Sequence, residues 1–274
     1  MPNLVVKSRE PDAEGNVLAI TPESAGWSYI GLHVYRLKPG QKVNKRTGSA
    51  EVCLTLLQGK ANIVTSRLQC LNIGSRMSIF EGTPPDSVYV PMNDEYEIEA
   101  LTDLEIAVCS APGKAGGEAH FIRSADVQAE MRGYGNMLRR VHNILPEQQE
   151  AGSLLVVEVF TPGGHWSSYP PHKHDRDRLP HESYLEEIYY HRVNPGHGFA
   201  LQRVYTDDRS LDEAMAVANG DAVLVPKGYH PVSAAPGYDL YYLNVMAGPV
   251  RTWKFHNDPD HEWLFRQPAK EGEQ

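Results

Sequence analysis

The chain has 274 residues, of which 41% are hydrophobic and 22% are charged, values typical of a folded globular protein and not of a disordered one. Its formal net charge of −9 offers no general attraction for a polyanion, so nucleic acid is not an expected partner. The sequence contains neither a stretch of about 18 apolar residues nor a cationic start followed by an apolar core. We therefore expect no membrane association and no signal peptide, and we predict a cytoplasmic protein.

Short apolar runs alternate with turn-forming residues along the whole chain. The 23 glycines and 20 prolines separate runs rich in Val, Ile, Leu and Tyr, a pattern typical of antiparallel β-sandwiches and barrels. In chain order, the predicted strands lie within residues 28–37, 51–64, 103–111, 153–162, 186–193, 199–206, 221–226 and 239–248. The best helix candidate covers residues 124–131, with Ser124 as N-cap. The sequence thus predicts an all-β protein with few short helices.

The three cysteines give no sign of a disulfide framework. Cys53, Cys70 and Cys109 are odd in number, all lie in the first half and form no C-x-x-C pair. Because Cys53 and Cys109 fall in apolar runs, we expect buried and unreactive thiols in a reducing environment.

Segments of the first half recur in the second half at a nearly constant spacing. HVYRLKPG (33–40) parallels VEVFTPGG (157–164), and DSVYVPMNDEY (86–96) parallels DAVLVPKGYHP (221–231). The offsets are 136, 135 and 137 residues for the pairs Glu51/Glu187, Pro91/Pro226 and Pro112/Pro249. We infer an internal duplication of one barrel unit. Residues 1–123 would form the first barrel, and residues 124–274 the second barrel with a C-terminal tail.

The second half carries a cluster of potential metal ligands. His172 and His174 are two residues apart, so their side chains point to the same face of a strand. Glu187 opens a later apolar run, and His230 follows the turn after residues 220–228. Three imidazole nitrogens and one carboxylate oxygen suit Zn²⁺, Mn²⁺, Fe²⁺ or Ni²⁺. We predict one divalent ion per chain, held by these four side chains.

The carboxylate ligand has neighbours of the same chemistry, Glu182 and Glu186. We prefer Glu187 because it leads the apolar strand and aligns with Glu51 of the first half, whereas Glu186 would face the opposite way.

The first half lacks the equivalent histidines. Residues 43–49 contain none, and Glu95 stands where His230 would be. Glu51 alone cannot bind a metal tightly, so we predict that the first barrel is structural and has no metal site.

The ligand set and its flanking residues resemble the two motifs of the cupin family. The first motif is matched by Gly164, His172, His174, Glu187 and Gly196, and the second by Gly220, Pro226, Gly228 and His230. The interval from His174 to Glu187 is longer than in the family pattern, and one residue instead of two separates Gly228 from His230. The resemblance implies a bicupin, which is two fused antiparallel β-barrels of the jelly-roll type.

Longer stretches beyond these motifs resemble the 5-deoxy-glucuronate isomerases of inositol catabolism, cupins related to 4-deoxy-L-threo-5-hexosulose-uronate ketol-isomerase. They are residues 172–206, 225–232, 241–249 and 258–264. The resemblance covers essentially the whole chain. It implies a metal-dependent aldose–ketose isomerisation of 5-deoxy-glucuronate to 2-deoxy-5-keto-gluconate through an enediolate, with Zn²⁺ as the favoured ion.

The sequence does not decide which residues take part in this reaction. Candidates for proton transfer are Tyr205, Gln202, Glu182 and Lys173, although strand alternation should turn Lys173 away from the ion, toward the surface or rim. A uronate carboxylate requires a cationic partner, for which arginine is suited. The arginines considered are Arg203, Arg178 and Arg140. Arg203 and Tyr205 would meet the substrate only if residues 201, 203 and 205 face inward; otherwise Tyr205 packs and Arg203 is solvated.

Two other functions are compatible with such a fold. One is an Fe²⁺-dependent cupin dioxygenase, and the other is a non-catalytic sugar-binding cupin. Exposed sheet edges also make a homo-oligomer possible. The tail that contains His256 and His261 is expected to cover a barrel edge or a subunit contact, and not to enter the site.

Overall fold

The structure is a computed structural model that describes residues 3–266, and within this range it is built almost entirely from short β-strands. The strands of the first half are β1 (Val5–Val6), β2 (Asn16–Ile20), β3 (Gly31–Leu37), β4 (Lys42–Arg46), β5 (Ala50–Gln58), β6 (Ala61–Thr65), β7 (Gln69–Ile73), β8 (Ser87–Val90), β9 (Glu95–Ala100), β10 (Leu104–Pro112) and β11 (His120–Ile122). One α-helical turn, α1 (Pro22–Ala25), precedes β3, and a 3₁₀ turn (Ile79–Glu81) precedes β8.

The second half is also built from short strands with a few helical turns. Its strands are β12 (Gln128–Arg132), β13 (Arg139–Leu145), β14 (Leu155–Thr161), β15 (Trp166–Ser167), β16 (His172–Lys173), β17 (Asp175–Arg178), β18 (Glu182–Tyr184), β19 (Glu186–Asn194), β20 (Phe199–Tyr205), β21 (Asp212–Ala218), β22 (Ala222–Val225), β23 (Val232–Ala234), β24 (Asp239–Ala247) and β25 (His256–Asn257). The remaining helical segments are 3₁₀: Ser124–Asp126, Gly135–Met137 and Pro259–Arg266. The predicted all-β class is therefore confirmed.

Each half pairs a large sheet with a small one, and the order of strands is the same in both. The first half contains the sheets β11-β8-β5-β10-β3-β2 and β4-β9-β6-β7, and the second contains β1-β22-β19-β24-β14-β13-β12 and β15-β23-β20-β21. The series β8-β5-β10-β3-β2 thus recurs as β22-β19-β24-β14-β13, which confirms the duplication inferred from the sequence. The two sheets of each half face each other without closing into one hydrogen-bonded barrel.

Three apolar cores hold these sheets in four layers. One core lies inside the first half and contains Val52 and Val90. A second lies inside the second half and contains Val141 and Val159. The third core lies between the two large sheets, which pack back to back, and it contains Leu32 of β3. Burial of apolar surface between the large sheets makes the two halves a single packed unit.

The N-terminal strand belongs to the second half. Val5 and Val6 pair with Val223 and Ala222 at the edge of the large sheet of that half, and Leu4 packs into its core. A division of the chain between residues 123 and 124 remains a prediction.

Reciprocal carboxylates bind the two halves together across the third core. Glu51 of the first half accepts hydrogen bonds from the backbone N–H groups of residues 152–154, just before β14. Glu186 of the second half accepts them from residues 28–30, just before β3. Since Glu51 pairs with Ala111 and Glu186 with Ala247, Glu186 is the counterpart of Glu51.

The proposed alignment of Glu51 with Glu187 was therefore wrong by one residue. A shift of one residue exchanges the two faces of a strand, and the true counterpart of Glu187 is Val52. Glu51 faces the contact between the halves and does not represent a lost metal ligand. Val52 lies in the apolar interior of the first half, so no metal ligand occupies this position there.

A buried ion pair adds to the contact between the halves. Arg76 donates two hydrogen bonds of 2.8 Å to the carboxylate of Glu158, and both side chains are almost fully inaccessible. His142 lies 2.7 Å from the same carboxylate. Burial would raise the pKa of Glu158, but the charge of Arg76 and the hydrogen bonds from His142 and Arg76 lower it overall.

The predicted helix over residues 124–131 was wrong. Only Ser124–Asp126 form a 3₁₀ turn, and Gln128–Arg132 continue as β12, which pairs along its full length with β13. The hydrogen bonds to β13 override a weak local preference for helix. Elsewhere among the described residues, no helix is long and apolar enough to span a membrane.

The expected burial of Cys53 and Cys109 is confirmed, and Cys70 is buried as well. Cys53, Cys70 and Cys109 are all buried free thiols, and burial raises the pKa of Cys53 to about 12.

Candidate metal centre and adjoining cavity

Three of the four predicted ligands converge inside the second half. Nε2 of His174 lies 3.0 Å from Oε2 of Glu187, and Nε2 of His230 lies 3.1 Å from the same oxygen. The three side chains are buried, and their potential ligand atoms all lie within 4.8 Å of one another. His174 follows β16, Glu187 lies on β19, and His230 lies in the loop before β23. The group formed by His174, Glu187 and His230 is called the triad below.

Local backbone structure aims the two imidazoles of the triad. Gly228 has φ +89°, and a Cβ on this residue would lie 2.3 Å from the carbonyl oxygen of Tyr205, so the turn before His230 requires glycine. Nδ1 of His230 lies 2.8 Å from the carbonyl oxygen of Gly228, and Nδ1 of His174 lies 3.0 Å from that of Leu185. A carbonyl oxygen only accepts, so Nδ1 carries the proton in both rings.

This choice of tautomer directs lone pairs at a carboxylate. In the neutral rings Nε2 cannot donate to Glu187, and Nε2 of His230 is buried without a hydrogen-bond partner. Two nitrogen lone pairs and an anionic oxygen repel one another unless a cation lies among them. The donor set of the triad therefore fits a divalent metal ion.

The electrostatics of the triad show that its carboxylate attracts positive charge. Burial would raise the pKa of Glu187, but His230 and His174 together lower it to about 2. Asn244 donates a hydrogen bond to the other oxygen of Glu187. Burial would lower the pKa of His174, but in the protonated ring Nε2 donates to Glu187, and that hydrogen bond raises the pKa. A proton and a metal ion would thus compete for the same place.

His172, the fourth predicted ligand, lies beside the triad. Its ring centre is 5.0 Å from that of His230 and 6.4 Å from that of His174. Burial and the two neighbouring imidazoles hold its pKa well below the usual value, so the ring is neutral and available as a ligand.

A cavity of about 510 Å³ opens next to the triad, a volume in the range of small-molecule sites. Glu187 and His172 reach it from one side. Its polar and aromatic walls include Arg132, Tyr134, Arg139, Ser168, Tyr169, Tyr189, Tyr242, Asn244, Trp253, Phe255, Asn257 and Phe265. The cavity can therefore hold a polar molecule in contact with a ligand of the candidate metal.

The C-terminal segment takes part in this cavity, which corrects the expectation that it stays outside the site. β25 pairs with β16, placing Asn257 opposite His172. The ring of Phe255 is 4.7 Å from that of His172. His256 itself is exposed, and His261 does not line the cavity. The aromatic residues of the segment, and not its histidines, shape the site.

None of the four candidates for proton transfer lines the cavity. Gln202 accepts from His191 deep in the second half, and Tyr205 donates to Asp258. Lys173 and Glu182 bind each other on the far side of the strand that carries His172. Lys173 does point away from the triad, but its side chain is only 1% exposed, so the expectation of a surface or rim position was wrong.

The arginines chosen from the sequence also point elsewhere. Arg203 forms two hydrogen bonds with Asp212, because residues 200, 202 and 204 of β20 face inward instead of 201, 203 and 205. Arg178 is exposed in the hairpin of β17 and β18. Arg140 contacts Gly82 of the first half.

Sequence reasoning missed Arg139, which lines the cavity. Strand alternation was the available signal, since Val141 is an inward apolar residue of β13 and Arg139, two positions earlier, shares its face.

A buried polar network connects the segment that carries His172 and His174 to the loop that carries His230. Nζ of Lys173 lies 2.7 Å from Oδ1 of Asp175 and 3.2 Å from Oε1 of Glu182. Oδ2 of Asp175 accepts a hydrogen bond of 2.8 Å from the backbone N–H of Gly228. Asp175 therefore fixes the distance between the segments that carry His174 and His230.

We expect Asp175→Ala to lower the affinity for a divalent metal by about 10–100-fold, because partners of metal ligands typically contribute that much. Competition with a chromogenic chelator measures the change. Asp177→Ala, an exposed residue of the same strand, serves as control and should bind metal like the wild type. Equal affinities for both variants would rule out the role assigned to Asp175.

Comparison with known proteins places the chain in a known family. Residues 4–264 match the model of the KduI/IolB family. The 5-deoxy-glucuronate isomerase of Geobacillus kaustophilus is 66% identical over 265 residues, which are 97% of this chain and 96% of that protein.

Solved structures extend this relationship to the fold. An IolB-like protein from Salmonella typhimurium superposes with a TM-score of 0.94 at 51% identity, covering 96% of this chain and 100% of that one. Oxalate decarboxylase from Lactobacillus farciminis superposes with a TM-score of 0.67 at 13% identity, over 98% of this chain and 91% of that one, a likeness of fold alone. The predicted bicupin architecture is confirmed. The chain is an isomerase, and it belongs to the KduI/IolB family.

Proposed function

We propose that this chain is a metal-dependent aldose–ketose isomerase that converts 5-deoxy-glucuronate to 2-deoxy-5-keto-gluconate in inositol catabolism. The name of the Geobacillus relative supports the substrate. The observation that carries the metal dependence is the convergence of two Nε2 lone pairs on the ionised carboxylate of Glu187, at the wall of a cavity. The reaction moves a carbonyl group to the neighbouring carbon through an enediolate.

We propose that His172, His174, Glu187 and His230 hold one Zn²⁺ ion, for which three imidazoles and one carboxylate are a suitable set. When bound, such an ion acts as a Lewis acid that stabilises negative charge developing on the carbonyl and hydroxyl oxygens of the substrate. Asn244 keeps Glu187 oriented through its hydrogen bond.

The walls of the cavity provide hydrogen bonds to the sugar hydroxyls. Tyr189 lies 2.7 Å from the hydroxyl of Ser168 and is buried, and burial raises its pKa well above the usual value. Burial likewise raises the pKa of Tyr242. Both phenols therefore stay protonated and can donate to the substrate. Trp253 and Phe255 line the cavity with apolar surface that limits the access of water.

The group that transfers a proton between the adjacent carbons of the substrate has to line the cavity. Tyr205, Gln202, Glu182 and Lys173 do not line it, and we assign them no part in proton transfer.

An NMR assay under anaerobic conditions tests the function. Purified protein, with its metal content determined, is incubated with 5-deoxy-glucuronate in D₂O. We expect the ketose product, with solvent deuterium in its new hydroxymethyl group because the enediolate exchanges protons with solvent. Absence of turnover with Zn²⁺, Mn²⁺, Fe²⁺ and Ni²⁺ would contradict the proposal. Turnover that requires oxygen would indicate a dioxygenase instead.

A further inference from the structure

Arg139 is the cation that lies in the cavity without an acidic partner. Its Nη1 donates to the carbonyl oxygens of Met137 at 3.0 Å and Tyr169 at 3.2 Å. These two bonds hold the guanidinium at the wall of the cavity that also contains His172 and Glu187. No hydrogen bond within residues 3–266 engages its Nε or Nη2, so donors are left that can face a ligand.

The charge of Arg139 is not compensated by a salt bridge within the described residues. Throughout the described part of the chain, no carboxylate lies within 4.0 Å of its guanidinium nitrogens. The nearby carboxylate of Glu130 is engaged by Arg132 and Asn143. Burial lowers the pKa of Arg139, and the positive charge of Arg132 acts in the same direction. Tyr242, Tyr189 and the more distant Glu130 act against this shift without reversing it. A largely buried guanidinium without a counter-ion is unfavourable, and an anionic ligand would relieve that cost.

The other arginines near the cavity do not have this property. Arg132 also lines the cavity, but it is paired with Glu130 and lies over the ring of Trp253. Arg140, the next residue of β13, points to the opposite face and lies over Phe160.

We propose that Arg139 binds the carboxylate of the substrate and thereby selects uronates over neutral aldoses. This inference rests on the proposed function. A guanidinium recognises a carboxylate through parallel hydrogen bonds. With its carboxylate held by Arg139, a sugar acid has its carbonyl end free to reach the part of the cavity formed by Glu187 and His172.

Steady-state kinetics with two substrates test this role. We compare 5-deoxy-glucuronate with 5-deoxy-glucose, which has a hydroxymethyl group in place of the carboxylate. For Arg139→Gln we expect KM for the uronate to rise about 30-fold with little change in kcat, as for loss of a charge-assisted interaction made equally in ground state and transition state. The kinetic constants for 5-deoxy-glucose should not change. Arg139→Lys, which retains the charge, should restore part of the affinity.

Two further measurements separate the possible outcomes. Calorimetric titration with the uronate reduced at its aldehyde, which cannot react, should show the same loss of affinity in Arg139→Gln, while metal content stays at the wild-type level. Arg140→Gln is the matched control and should behave like the wild type. If Arg139→Gln lowers kcat/KM equally for both substrates, Arg139 only supports the loops of Met137 and Tyr169, and the proposal is overturned. A failure of the proposed function is recognised separately, because the wild-type enzyme would then turn over neither sugar.

Discussion

Glu187→Gln is expected to reduce bound metal to a trace and to lower kcat/KM for the isomerisation by at least about 1,000-fold. The amide is uncharged and a weak ligand, and the Lewis acid whose binding it weakens supplies several kcal/mol of transition-state stabilisation, with about 1.4 kcal/mol for each factor of ten. The shape of the side chain is preserved, and its oxygen can still accept from Asn244. The fold should therefore remain intact. Elemental analysis, the NMR assay and circular dichroism measure the three effects.

His230→Ala should give the same result by removing a second ligand of the triad. His197→Ala is a suitable control, because His197 is exposed and packs only at the edge of Tyr238. Full activity of the Glu187→Gln or His230→Ala protein, with normal metal content, would refute the assignment of the metal site.

Arg76→Met is expected to lower the free energy of unfolding by about 3–5 kcal/mol, because it leaves the charge of Glu158 buried without its main partner. Urea unfolding followed by fluorescence measures the change. Lys38→Met is the control for an exposed pair, since Lys38 and Asp103 are 77% and 72% exposed; its cost should stay below about 1 kcal/mol. Equal costs for the two variants would show that the buried pair does not stabilise the contact between the halves.

The difference in stability between the wild type and Arg76→Met should depend on pH in a defined direction. The pKa of Glu158 in the folded wild type is below its ordinary value of 4.5, so its contribution to stability is present above that value and is lost as the pH falls through the folded pKa. Without Arg76 the carboxyl group protonates at higher pH. The gap in stability between the wild type and Arg76→Met should therefore be largest near neutral pH and should narrow on acidification. The double variant Arg76→Met/Glu158→Leu should recover part of the loss.

The two halves share a strand order but differ in what fills them. Glu187 faces the interior of the second half, and its counterpart Val52 packs among apolar residues of the first. The carboxylates Glu51 and Glu186, in contrast, occupy equivalent places and serve the contact between the halves on both sides. The two halves therefore share the carboxylate contacts between them, whereas the candidate metal centre lies in the second half.

The alternation of residues within β20 shows where prediction from sequence stopped. FALQRVY allows either 201, 203 and 205 or 200, 202 and 204 to face the interior, because both sets contain apolar and polar members. The structure places Ala200, Gln202 and Val204 inside, and Arg203 pairs with Asp212 at the surface. Tyr205 is buried as well, but by a contact with Asp258 of the C-terminal segment, which local periodicity cannot reveal.

Sequence alone determined the features that depend on local pattern and spacing. Alternating apolar runs predicted the all-β class, constant offsets predicted the duplication, and the spacing of His172, His174, Glu187 and His230 predicted side chains that lie together in the structure. Tertiary structure decided which residues surround the cavity. Arg139, Tyr189 and Asn244 meet there from separate strands of one sheet, and such meetings depend on the order of strands and not on distance along the chain. The same reason applies to Lys173. Strand alternation predicted that its side chain points away from the triad, but its burial beside Asp175 and Glu182 depends on the tertiary structure.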